Sequence, residues 1–183
     1  MKTSQLKSSK KLADFLEKNS IHKRDFAEMI GVTLSYVYNL IDETIPFSTR
    51  STTLERIATV MEIEPEEFEE YKIPQEPLLM DESVELLKSI LNENKMSVVN
   101  FLKSFPRKKR VDIVDMLRGA YPLPIDFKEL NSIGKILNLS SDEIYNIWED
   151  RMKQVLETNG MNLSANAAFV NAMLECARKY VEI

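Results

Sequence analysis

Between His22 and Asp42 the chain reads HKRDFAEMIGVTLSYVYNLID, and few folds accept that order of residues. Phe26, Ala27 and Ile30 stand at i, i+1 and i+4, which places them on one face of a first short helix. Val37, Leu40 and Ile41 do the same for a second. Gly31 and Val32 lie between them. Glycine takes the left-handed conformation that ends a helix at no steric cost, and Thr33 is a suitable N-cap for the second helix. Small Ala27 lets the second helix cross close over the first.

The rest of the chain is built of the same material. It has only 4 glycines in 183 residues, helical apolar spacing nearly everywhere and no convincing alternating run, so the sequence predicts an all-α protein. Hydrophobic content of 44% with 29% charge is ordinary for a globular chain long enough for one large or two small domains. One cysteine, Cys176, excludes an intramolecular disulfide, and MKTSQLKSSKK at the N-terminus has no apolar core for export. A reducing cytoplasm is expected. No apolar run approaches the roughly 18 residues of a membrane span, so no membrane insertion is expected.

The stretch resembles the Cro/CI-type (XRE) helix-turn-helix family in carrying a small residue in the first helix, a glycine in the turn and an aliphatic i, i+3 pair in the second. Here these are Ala27, Gly31, Val37 and Leu40. The resemblance covers roughly residues 8–70, since LERIATVMEIEPEEF at 54–68 looks like the family's closing helices. It departs at Ile41, where the family usually has glutamate, and at Glu43, where it often has glycine. The resemblance implies a lambda-repressor-like fold that reads double-stranded DNA. Its base-reading positions fall on Thr33, Leu34, Ser35, Tyr38 and Asn39, and its phosphate positions on Lys23 and Arg50, with His22 and Arg24 as weaker candidates. Asparagine pairs bidentately with adenine, serine donates or accepts, and a leucine or threonine methyl suits thymine.

Taken in order, residues 1–11 hold Lys2, Lys7, Lys10 and Lys11, either a loose basic arm or a ragged helix start. A first helix carries Leu12, Phe15 and Leu16 inward and ends near Asn19; the second begins at about Lys23 and the third spans 34–42. Thr52 or Thr53 caps a fourth, with Leu54, Ile57, Ala58 and Met61 as its stripe, and Pro65-Glu66-Glu67 starts a fifth. A linker, KIPQEPLL, comes next.

From residue 82 the pattern begins again. An offset of 75 pairs Leu12 with Leu87, Leu16 with Leu91, Asn19 with Asn94, Ile21 with Met96 and Phe26 with Phe101. After one inserted residue an offset of 76 pairs Val37 with Ile113, Leu40 with Met116, Leu54 with Leu130, Ile57 with Ile133 and Met61 with Leu137. This register predicts an internal duplication whose centre has diverged: Leu102 replaces the small residue and Phe105-Pro106 occupies the turn. The organisation expected is a helix-turn-helix domain at 1–72, a linker at 73–80, a degenerate second copy at 81–145 and C-terminal helices at 146–183. In the last segment Ile144, Trp148, Met152 and Val155 share one helical face, and a final helix capped by Ser164 carries two apolar stripes.

Net charge is −5, but residues 1–60 hold 9 basic against 7 acidic side chains while six glutamates crowd 61–70. A mildly positive reading surface therefore remains open to DNA. Lys103, Arg107, Lys108, Lys109 and Arg110 form a second basic cluster, read either as a solvated face or as phosphate or RNA contacts; Asp112 and Asp115 beside it would repel a polyanion. Phe169, Val170, Met173, Leu174, Ala177 and Tyr180 suggest homodimerisation or, equally, packing onto the second copy. Cys176 reads as a small core hydrophobe. No metal-ligand spacing, phosphate loop or nucleophile is present, so neither an enzyme nor a cofactor is expected. Function is expected to be transcription regulation, most simply repression; the other reading is a protein-interaction module of antitoxin or inhibitor type that keeps the fold without reading DNA.

Overall fold

The computed structural model describes residues 8–74 and 81–181. Lys2 and Lys7 of the basic arm and residues 75–80 of the linker lie outside them, as do the side chains of Tyr180 and Val181. The described residues are helical, with no strand among them. Packing divides the chain at Tyr121/Pro122 into two compact units.

The first unit holds α1 (Ser8–Lys18), α2 (Lys23–Ile30), α3 (Leu34–Ile41), α4 (Ser51–Met61), α5 (Glu82–Glu93), α6 (Val98–Lys103) and α7 (Arg110–Leu117). Gly31 ends α2 at φ 70°, its N–H donating to Ala27 O, and the Thr33 side chain accepts from Tyr36 N to start α3. Arg50 rather than Thr52 or Thr53 stands at the N-cap of α4, so both threonines fall inside its first turn. Pro65 opens only a single 3-10 turn, Pro65–Glu67, and not a full fifth helix. After α3 no glycine is needed, because Asp42 Oδ1 accepts from both the N–H and the hydroxyl of Thr44 and closes the turn itself.

The core of this unit joins Leu12, Phe26, Met29 and Ile30 to Leu54, Ile57 and Phe68, and continues into Leu87, Phe101, Leu102 and Leu117. α7 is the element that ties the two sequence halves together. Ile113, Val114, Asp115, Met116 and Leu117 are all buried in it, a run wider than one helical face, with Asp112 left exposed. It packs on α2, α4, α5 and α6. The linker at 73–80 and the 145/146 boundary are therefore boundaries of sequence register, not the places where packing divides the chain.

Asp115, read from sequence as an outward repelling charge, is instead buried between two arginines. Arg56 of α4 grips it bidentately at 2.7 and 2.6 Å, and Arg118 donates to it at 2.8 Å. Burial alone would raise this carboxyl's pKa; the hydrogen bonds from Arg56 and Arg118 outweigh that and hold it below its ordinary value. Arg118 also reaches Glu55 at 2.9 Å, and Tyr71 donates to the same carboxylate at 3.1 Å.

The second unit holds α8 (Phe127–Ile136), α9 (Ser141–Thr158) and α10 (Ala167–Val181). Gly134 lets α9 approach α8 closely: a Cβ there would overlap Ile144 Cγ1. Trp148 donates to Ile125 O and Arg151 to Leu123 O, fixing the chain leading into α8. On α10 Val170 and Leu174 are buried, and Tyr145 donates to Leu174 O at 2.8 Å. The helix starts at Ala167, three residues beyond Ser164.

The backbone repeats its punctuation in the sequence register. Among the described residues the non-glycine positions with positive φ are Ser20 and Lys95, both at 50°, and Glu62 and Asn138, at 58° and 57°. The first pair lies at the offset of 75 and the second at 76. Helix starts keep the same register, Lys23 with Val98, Leu34 with Arg110 and Ser51 with Phe127. Left-handed non-glycine residues are rare, and these two pairs fall at the offsets of the apolar register.

Removing the Asp115 carboxylate leaves Arg56 without an ion pair among the described residues and Arg118 with Glu55 alone, in a largely buried place. Asp115→Ala is expected to cost about 3 kcal/mol in urea unfolding, whereas exposed Asp112→Ala stays within about 0.5 kcal/mol. Because the folded-state pKa is lowered, this stabilisation is complete above the ordinary aspartate value of 3.8 and is lost as pH falls through the folded value. The stability gap between wild type and Asp115→Asn should therefore shrink in acid; a gap independent of pH would contradict the assignment.

Candidate nucleic-acid interface

The outward face of α3 is assembled by its two neighbours. Val37 and Leu40 are buried against α1 and α2, which turns Leu34, Ser35, Tyr38 and Asn39 to solvent with Thr33 just ahead of them. Leu34 is 39% exposed and Tyr38 53%, although each is large and apolar. Lys23 at the head of α2 reaches across, its Nζ 5.7 Å from the centre of the Tyr38 ring. Tyr36 donates to Ser48 O at 3.3 Å and so anchors the loop that leads to Arg50. Arg50, His22 and Arg24 are exposed.

Thus the five base-reading candidates and the four phosphate candidates from the sequence lie on and beside one helix, within the first unit. Thr33 spends one acceptor site on Tyr36 N, leaving its hydroxyl hydrogen and methyl free to turn outward.

The second basic cluster is not one patch. Arg107 pairs with Asp25 at 3.4 Å and with Glu28 at 3.2 Å, and Arg110 is buried, donating to Phe105 O with Asp25 3.7 Å away. These two arginines serve α2, neutralising its carboxylates. Lys103, Lys108 and Lys109 remain exposed. Sequence reading missed this role because the partners are some 80 residues apart and no local spacing announces them.

It missed also the packing behind the turn. Arg56 Nη1 donates to Ile30 O at 3.2 Å, satisfying a carbonyl at the C-terminal end of α2, and Val111 of α7 sits where a Gly31 Cβ would be, 2.7 Å from its Cγ2. Gly31 is thus required twice, by its φ and by the close approach of α7.

Cys176, expected in the core, is exposed on α10. Phe169 is 62% exposed and Met173 half-buried, so of the two stripes only the one containing Val170 and Leu174 is used inside the unit. Among the described residues no group of His, Cys, Asp and Glu could hold a metal ion, and no helix is long and apolar enough to cross a membrane.

No protein-family model, curated protein or solved structure matches the chain. Its function is therefore read from this geometry.

Gly31→Ala is expected to destabilise the chain by about 2 kcal/mol or more, since it adds steric overlap to backbone strain. Gly160, at φ 87° with nothing within 4 Å of a would-be Cβ, supplies the comparison; Gly160→Ala meets strain alone and should cost about 1 kcal/mol. Adding Val111→Ala to Gly31→Ala should recover the difference in thermal melts. Equal costs at the two glycines would show that Val111 does not press on the turn.

Proposed function

We propose that the chain is a sequence-specific DNA-binding regulator, most simply a repressor, that reads the major groove with α3. The observation that carries this is the outward face of α3: polar and methyl-bearing groups at Thr33, Leu34, Ser35, Tyr38 and Asn39, fixed by a buried opposite face and flanked by Lys23 and Arg50. Reading DNA needs this combination, a helix whose first turn faces base edges with neighbours anchored on phosphates. The pairing of Asp25 and Glu28 with Arg107, and of Asp25 with Arg110, supports it by removing negative charge from α2.

Residues 81–145 are read as a degenerate second copy of the helix-turn-helix domain. Its counterpart of the reading helix, α7, is buried, so each chain presents one reading helix. Binding as a homodimer supplies the second, placing two α3 helices in successive major grooves about 34 Å apart. The unused stripe of α10, with Phe169, Met173 and Cys176, suits a two-fold contact between copies. The mechanism is occupancy in a cytoplasmic protein: the bound dimer excludes or recruits polymerase, and no bond is made or broken.

A second reading, a protein-interaction module, draws support from the exposed Leu34, Tyr38 and Ile45 on and after α3. Salt separates the two. Phosphate contacts make duplex affinity fall steeply with salt, and base contacts make it sequence-selective.

Selection of duplexes from a random pool should enrich a paired half-site, and Asn39→Ala should lose about 1–3 kcal/mol at one base position, as should Ser35→Ala more weakly. No enrichment at low salt would favour the interaction module. Sedimentation of wild type at micromolar concentration should show a dimer that Phe169→Glu dissociates; a wild-type monomer would remove the two-fold contact.

A further inference from the structure

The first unit contains a partly open cavity of about 500 Å³ between α4, the 3-10 turn and α5–α7. That volume is in the range of small-ligand sites. Its apolar lining includes Ile63, Leu91, Met96 and Leu117. Its ionisable lining is unbalanced: Glu55, Glu62, Glu64 and Glu66 against Lys88 and Arg118. Arg118 is already engaged by Asp115 and Glu55, which leaves three carboxylates facing one ammonium. Glu62 accepts from Val98 N, while Glu64 and Glu66 are exposed and make no ion pair among the described residues. Burial pushes the Lys88 ammonium's pKa down despite the nearby Glu64 and Glu85, consistent with a wall from which water is partly excluded.

The cavity wall is wired to the turn before α3. Tyr71 holds Glu55, Glu55 holds Arg118, Arg118 and Arg56 share Asp115, and Arg56 donates to Ile30 O beside Gly31. Each link is a charged or charge-assisted hydrogen bond in a largely buried setting, so a change at Glu55 alters the partners available to the next group.

We propose that this cavity binds a small organic ammonium ion with a hydrocarbon body, and that its occupancy is transmitted through Glu55, Arg118, Asp115 and Arg56 to the turn at Gly31. The hydrocarbon replaces water on the apolar lining, and the ammonium meets the carboxylates that lack partners; an anion of the same body meets the wrong sign. The binding half stands on the cavity alone, and the regulatory half rests on the DNA-reading function proposed above.

The test titrates the full chain, without DNA, with hexylammonium, hexanol and hexanoate while methyl and amide resonances are followed. Saturable shifts of the Ile63, Leu91 and Leu117 methyls with hexylammonium, at an affinity about fivefold or more above hexanol and without binding of hexanoate, are expected. Glu64→Gln with Glu66→Gln, both on the surface, should erase that preference while leaving hexanol binding unchanged. The Gly31 amide should shift with the same midpoint. Absence of methyl shifts, or equal binding of hexanol and hexylammonium, overturns the site. Methyl shifts without a response at Gly31 overturn the transmission. A chain that binds hexylammonium but no duplex keeps the site and overturns the DNA-reading function instead.

Discussion

Asp115 between Arg56 and Arg118 is the interaction on which the first unit depends. A carboxylate placed among buried apolar side chains loses far more hydration energy than a single surface ion pair returns. Here two guanidinium groups share it, with three hydrogen bonds between 2.6 and 2.8 Å, so the charge is neutralised and its lone pairs are used. The arrangement fixes more than its own geometry. Arg56 comes from α4, Asp115 from α7 and Arg118 from the residue that ends it, and Arg56 uses its third nitrogen to donate to Ile30 O of α2. One buried carboxylate thereby sets the distances between three helices and closes the end of the first helix of the turn.

The consequence reaches the surface. α2 is pressed by Val111 at Gly31 and tied by Arg107 and Arg110 at Asp25 and Glu28, so its position is held at both ends by the second half of the sequence. α3 crosses α2 and takes its orientation from it. The exposed face from Thr33 to Asn39 is therefore presented by the whole first unit, not by the first four helices alone. Lys95 and Asn138 carry left-handed backbone at the offsets from Ser20 and Glu62, while α7 is an interior strut of the first unit.

Much of this was legible locally. Gly31 and Thr33 announce a helix end and a helix start by their own conformational chemistry, and the spacing of Val37 and Leu40 says which face of α3 turns inward. The offsets of 75 and 76 are visible in apolar side chains, and the matched left-handed residues repeat them in the backbone. What sequence could not reveal was long-range pairing. Asp115 and Arg107 look like surface charges in their own helices, and only partners about 60 and 80 residues away make one a buried hub and the other a clasp for α2. Cys176 failed in the opposite sense, since an apolar stripe on α10 was wider than the unit could cover. The pairing of Arg107 and Arg110 inside the basic cluster was not legible because charge in sequence says nothing about where guanidinium groups are spent.

The central claim is that α3 alone reads, while its repeat counterpart α7 supports it from within. An amide-shift map of the full chain bound to its selected duplex tests this most directly. The account predicts large changes at 22–24, 33–39 and 50, with 113–117 of α7 unmoved. Large changes along α7 with 33–39 silent would contradict it.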